Sequence, residues 1–190
     1  MKALEDKGEL ANTVIVFASD HGDNLTDHGH SQKWTMYDQI MRVPMLVWAP
    51  ERFTGGRKAD GLMQNMDIGL TILELAGATI PKTMEAESVL AALRGEEWHG
   101  REYLYAEQTK DGIYTEGPFM TMIRNHNWKL VHFLDAPFGQ LFDLQNDPDE
   151  MKNLWGDLDG NKAKAELLAE LREWHIRSQV HTAAWSEDWR

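Results

Sequence analysis

The β-branched, apolar run Thr13-Val14-Ile15-Val16-Phe17-Ala18 is followed almost at once by Asp20-His21-Gly22-Asp23. A carboxylate and an imidazole at the carboxyl end of a buried strand occupy the place where open α/β sheets bind ligands, and they offer a cation one oxygen and one nitrogen. Adjacent side chains of a regular strand point to opposite faces. Asp20 and His21 therefore share a cation only where the chain has begun to turn, which Gly22 favours. The same residues also fit a plain turn, with Asp20 capping it and His21 satisfying a carbonyl. On these four residues both readings stay open.

Further polar residues follow in Asp27-His28-Gly29-His30 and, after Lys33, in Tyr37-Asp38 and Arg42-Val43-Pro44. Asp23, Asp27 and Asp38 have the character of turn caps or of groups standing behind ligands. Asp67, opening an apolar helical pattern, reads as a helix cap.

The elements that must position these residues are written in the periodicity. Met1 to Gly8 has helical character, and Val43 to Trp48 forms a second apolar strand ending at Pro50. Met66 to Ala76 repeats at helical spacing and is closed by Gly77. Strand, helix, strand and helix predict part of a doubly wound α/β sheet. Beyond a helix over Ser88 to Arg94 the rhythm shortens to Tyr103–Tyr105, Phe119–Ile123, Trp128–Phe133 and Gln140–Phe142, separated by turn residues, which predicts a small antiparallel sheet. Asn146-Asp147-Pro148-Asp149 is turn chemistry, while Trp128, Leu130, Phe142 and Leu144 read as sheet packing. Lys162 to Gln179 carries an apolar stripe at Leu167, Leu168, Leu171 and Trp174, predicting a final helix packed on that sheet. A boundary within Gly95 to Arg101 divides residues 1–98, the α/β portion, from residues 99–190, a carboxy-terminal α+β subdomain.

Composition narrows the partners. The 190 residues carry a formal net charge of −12, the wrong sign for a nucleic-acid backbone. No apolar run reaches the roughly 20 residues of a membrane span, and MKALEDKGEL has charges where a signal peptide needs an apolar stretch. A soluble protein of open compartment is expected. There is no cysteine, which removes disulfides, thiolate metal sites and cysteine nucleophiles.

The passage SDHGDNLTDHGHSQKWTMYDQIMRVPMLVWAP closely resembles the sulfatase pattern S-D-H-G-D-x-L-x-D-H-G, followed by K-x-x-x-Y/F-(D/E) and R-V-P. MIRNHNWKLVHF and QLFDLQNDPDEMKNL resemble the carboxy-terminal signature of the same family, in the alkaline-phosphatase-like superfamily. The resemblance runs from about Met1 to Trp174. It implies that Asp20 and His21 ligate a divalent metal, calcium foremost, with manganese or magnesium as alternatives. It also implies that Lys33 contacts the sulfate of a sulfate-ester substrate, where a compact ammonium offsets anionic oxygen and assists the leaving oxygen. His28 matches a recurrent family histidine, as a catalytic group or as one that orders the loop; His30 has no counterpart. Ala86 stands where the family's G-x-S motif commonly has glycine.

The family's nucleophile is a formylglycine made from Cys or Ser in C/S-x-P-x-R. None of the six prolines has Cys or Ser two positions before it, so that motif is missing here. The expectation is a carboxy-terminal portion, inactive alone, that self-associates or pairs with an amino-terminal half. The alternatives are a phosphodiesterase or phosphonate monoester hydrolase portion of the same superfamily, or a non-catalytic binding or assembly domain.

Overall fold

The computed structural model describes residues 1–109 and 119–183, which divide into two compact units, Met1–Gly61 with Ser88–Gly100 and Leu62–Glu87 with Arg101–Arg190. In the first unit a short helix α1 (Lys2–Glu5) leads through a 3-10 turn into strand β1 (Ile15–Ala18). Helix α2 (Asp38–Met41) precedes strand β2 (Met45–Trp48), and α4 (Leu90–Arg94) returns to this unit from further along the chain. The strands pair antiparallel, with Ile15 opposite Trp48 and Phe17 opposite Leu46. Both members of the second pair are exposed, at 58% and 66%. Two large apolar side chains side by side on one strand pair make a surface that water disfavours.

In the second unit helix α3 (Asn65–Leu75) precedes four strands, β3 (Leu104–Gln108), β4 (Met120–Arg124), β5 (Trp128–Phe133) and β6 (Gly139–Asp143), and the long helix α5 (Asn161–Thr182). The strands form an antiparallel meander in chain order, the arrangement that short connections permit. Tyr105, Ile123, Leu130 and Leu141 lie opposite one another across the four strands. The α5 residues Leu167 and Leu171 pack on that row, and the aromatic rings of Trp128, Trp155 and Trp174 surround it. Alternation along each strand explains why one register places all four on the helix face. Here the expected stripe and sheet are found, with β3 reaching further than the local pattern because β4 pairs with it as far as Gln108.

The opposite face is buried as well, and it holds a charge. Lys129 lies opposite Phe142 and Arg124, is fully buried, and its Nζ is 2.5 Å from Glu150 Oε1, itself buried. The Asn146–Asp149 turn delivers that acid: Asp147 accepts hydrogen bonds from the Met151 and Lys152 amides, and Glu150 takes a left-handed φ of 56°. Asn153 then accepts from the Leu141 and Trp155 amides and donates to Gly139 O, tying the loop to β6.

Asp67 confirms its expected cap and adds a second task. Its carboxylate accepts from the Gln64 amide at 2.7 Å, from the Glu87 amide at 2.7 Å, and from Arg101 Nε and Nη2 at 3.0 and 2.5 Å. Burial opposes the Arg101 charge, but the hydrogen bonds and charge of Asp67 outweigh it and hold the guanidinium above its usual range. Among the described residues no helix is long and apolar enough to cross a membrane.

A buried ammonium stripped of its counter-charge is costly. Glu150→Gln should lower the stability of the sheet unit by about 3–5 kcal/mol, read by urea unfolding followed through tryptophan fluorescence. The double variant Lys129→Met/Glu150→Leu should regain most of the loss.

Candidate functional site

β1 ends at Ala18, and Ser19 closes the first turn by donating its hydroxyl hydrogen to His21 O at 2.8 Å. The His21 amide donates to Asp20 Oδ1 at 3.0 Å, folding the carboxylate back along the chain. His21 Nδ1 lies 2.7 Å from Gly22 O, an acceptor, so Nδ1 carries a proton and Nε2 is the nitrogen that faces Asp20. That Nε2 is 3.7 Å from Asp20 Oδ2. The two adjacent side chains thus converge, as a shared ligand role requires.

Electrostatics at this turn favour the anion. Asp20 is held below the usual carboxylate range, first by the hydrogen bond from the His21 backbone, then by the His21 ring, with the Lys33 ammonium also contributing. Lys33 is exposed, yet the loop brings its charge within reach of Asp20. Asp20 and His21 thus meet at the end of β1, while Lys33 adds only the smallest of the influences that lower the Asp20 carboxyl. His28 stands elsewhere in the loop, stacked on Tyr37 with ring centroids 3.8 Å apart and planes 3° from parallel. His30 is tilted against the same ring at 6.2 Å.

Two further residues shape the site without having been evident as site residues in the sequence. Gly22 is present for space rather than for a left-handed turn: its amide donates to Ile40 O at 2.9 Å, and a Cβ there would lie 1.8 Å from Gln39 O. Asn24 is fully buried; its side chain donates to Gln32 O at 2.8 Å and exchanges hydrogen bonds with Thr35 Oγ1. With the Asn24 amide donating to Gln32 O and the Thr26 amide to His30 O, the segment is a narrow loop whose tip is the 3-10 turn Asp27–Gly29. An asparagine in a polar loop normally faces water, so no local signal distinguishes this one.

Among the described residues no group of three or more His, Asp or Glu side chains converges on one point. Asp20 and His21 offer a divalent cation two donor types, an exposed carboxylate oxygen and an imidazole nitrogen. Two donors fall short of the six to eight ligands that calcium takes. A groove of about 390 Å³ in the second unit is lined by Glu85, Arg101, Tyr105, Trp174 and Arg177. Its charged groups are already engaged, Arg101 by Asp67 and Glu87, Arg177 by Glu170, and Glu85 by Ser178.

Residues 26–177 match the family model described as N-sulphoglucosamine sulphohydrolase, C-terminal. The chain is 30% identical over 182 residues to an N-acetylglucosamine-6-O-sulfatase of Bacteroides thetaiotaomicron, covering 90% of this chain and 31% of that protein. It is likewise 30% identical to a Δ4,5-hexuronate-2-O-sulfatase of the same organism, covering 94% and 38%. Among solved structures, one in complex with its substrate D-glucosamine-2-N,6-O-disulfate superposes with a TM-score of 0.84 at 28% identity, covering 94% of this chain and 37% of that one. The phosphonate monoester hydrolase of Silicibacter pomeroyi superposes with a TM-score of 0.84 at 26% identity, covering 96% and 38%. The chain thus spans about a third of the length of the relatives it matches.

Gly22→Ala should separate the His21 turn from α2, because the clash is with backbone that cannot rotate away. Amide exchange at Gly22 should accelerate by tenfold or more while the β3–β6 sheet keeps its protection, measured by hydrogen exchange. Asn24→Ala should cost about 1–3 kcal/mol locally, seen as faster exchange across residues 24–32.

Proposed function

The chain belongs to the sulfatase family, whose carboxy-terminal portion it carries, with the fold of the alkaline-phosphatase-like hydrolases; from that premise we propose that it supplies part of the metal and sulfate site of a sulfate-ester hydrolase. The observation that supports the reading is the approach of His21 Nε2 to Asp20 Oδ2 at 3.7 Å just beyond β1, with Lys33 following in the same loop.

In this reading Asp20 and His21 hold one side of a divalent cation, calcium foremost, which when bound supplies positive charge beside the ester. The hydrogen bond from His21 Nδ1 to Gly22 O fixes the tautomer that keeps Nε2 available. Lys33, exposed, donates to the anionic sulfate oxygens and to the leaving oxygen as charge builds there. His28 is the second catalytic group, at the rim of the same loop. Sulfated sugars are the proposed substrate class, since both sulfatase relatives are named for them. The nucleophile lies outside these 190 residues, as no C/S-x-P-x-R occurs in them, so the chain alone is inactive and works together with an amino-terminal portion. The exposed Phe17 and Leu46 pair is the surface proposed for that contact.

A phosphonate monoester hydrolase is the second reading, favoured by the Silicibacter pomeroyi superposition. The same positive charge serves a phosphonate as well as a sulfate, so the substrates must decide.

Joined to the amino-terminal portion of the N-acetylglucosamine-6-O-sulfatase relative, the chain should hydrolyse an aryl sulfate faster than a phosphonate monoester; the opposite preference selects the second reading. Lys33→Ala should lower turnover about a hundredfold. Asp20→Ala should abolish metal occupancy together with turnover, whereas His21→Ala should be partly rescued by excess calcium. Unchanged turnover in both Lys33→Ala and His21→Ala at limiting substrate and metal would remove the assigned roles. For the chain alone, calorimetry should find calcium binding weaker than about micromolar, as a two-donor site demands.

A further inference from the structure

The loop that carries His28 is strained and needs an external support. Leu25, Thr26, His28 and Gln32 all have positive φ, at 46°, 81°, 52° and 63°. Side chains with a Cβ disfavour that region, so such a cluster persists only where surrounding contacts over-determine it. Asn24 secures the base of the loop. At its tip the described ring contacts of His28 lead to one residue, Tyr37, whose ring lies parallel to the imidazole at 3.8 Å.

Tyr37 is itself firmly mounted. It is the residue that caps α2, its neighbour Met36 is 4% exposed, and Ile40 one turn on is also 4% exposed. The Ile40 amide donates to Tyr37 O, and Ile40 O accepts the Gly22 amide beside His21. A short path of backbone therefore runs from the Asp20–His21 turn through α2 to Tyr37, and ends on the His28 ring. The stack occupies a face of the imidazole and leaves its nitrogens at the ring edge.

We propose that Tyr37 is a positioning residue, whose ring sets the orientation of the His28 imidazole relative to the Asp20–His21 turn. The inference rests on the catalytic role given to His28 above. Stacking needs the ring and not the hydroxyl, so Tyr37→Phe should preserve the arrangement and Tyr37→Leu should release it. A misplacement of about 1 Å in a catalytic group is enough to cost up to a hundredfold in rate.

Two measurements test it. In this chain, the carbon-bound ring protons of His28 should show the upfield shift of a stacked imidazole by NMR. That shift should persist in Tyr37→Phe and vanish in Tyr37→Leu; its absence from the unsubstituted chain overturns the proposal without need of any variant. In the joined hydrolase, Tyr37→Leu should lower kcat by roughly tenfold or more with KM changed less than about twofold, and Tyr37→Phe should restore it. Adding Tyr37→Leu to His28→Ala should cause no further loss, because the residue acts through His28. If His28→Ala leaves kcat intact, the catalytic reading of His28 fails and the proposal falls with it. If His28→Ala is slow while Tyr37→Leu is not, that reading stands and the positioning role alone is overturned.

Discussion

A single hydrogen bond, from the Gly22 amide to Ile40 O, sets how the chemistry-bearing residues meet. On one side of it the chain leaves β1 and turns, which brings Asp20 and His21 together; on the other side α2 begins, with Tyr37 at its cap. The contact works only because residue 22 has no Cβ: a carbonyl oxygen occupies the space one would need. Between these two fixed points runs the loop 23–36, whose length and left-handed residues leave it little stability of its own. Asn24 and the stack on Tyr37 take up that deficit from inside and outside the loop.

The second unit uses buried charge for a different end. Lys129 with Glu150, and Arg101 with Asp67, join segments far apart in the chain. Replacing such pairs by apolar residues is often neutral or better for stability, whereas leaving one partner alone is strongly unfavourable. Their effect is therefore directional. A register shift in β5 would carry Lys129 to the other face, against the α5 helix and away from Glu150, so the pair penalises that error. Asp67 does the same for the start of α3, since the Gln64 and Glu87 amides and the Arg101 fork must arrive together.

The formal charge of −12 acquires a local meaning against these contacts. Under the proposed reading, an acidic protein that meets an anionic ester needs positive charge concentrated where the ester sits. Under that reading the positive charges there are Lys33 and a cation held by Asp20 and His21. The hydrogen bond from the His21 amide holds the Asp20 carboxyl below its ordinary range.

The strands and helices were legible in the sequence because each is a local pattern. The β-branched run before Asp20 became β1, and the Leu167 to Trp174 stripe became the packed face of α5. The string Asp20-His21, followed by Lys33, is likewise a local pattern of residue types, on which the proposed site rests. What the string does not contain is the partner of each polar group. Asn24 looks like an ordinary loop residue, and the motifs that contain Tyr37 and Glu150 do not name their partners, yet Asn24 is fully buried, Glu150 neutralises a lysine inside a sheet, and Tyr37 stacks on a histidine. Even Gly22, expected at a turn, is required by a backbone that approaches it from α2 rather than by its own dihedral angles. Sequence alone determined the order of the elements and the chemical types at the site, since periodicity and residue identity are properties of neighbours along the chain. Tertiary structure alone decided which polar groups are buried and what they touch, because burial is set by surfaces contributed from distant segments.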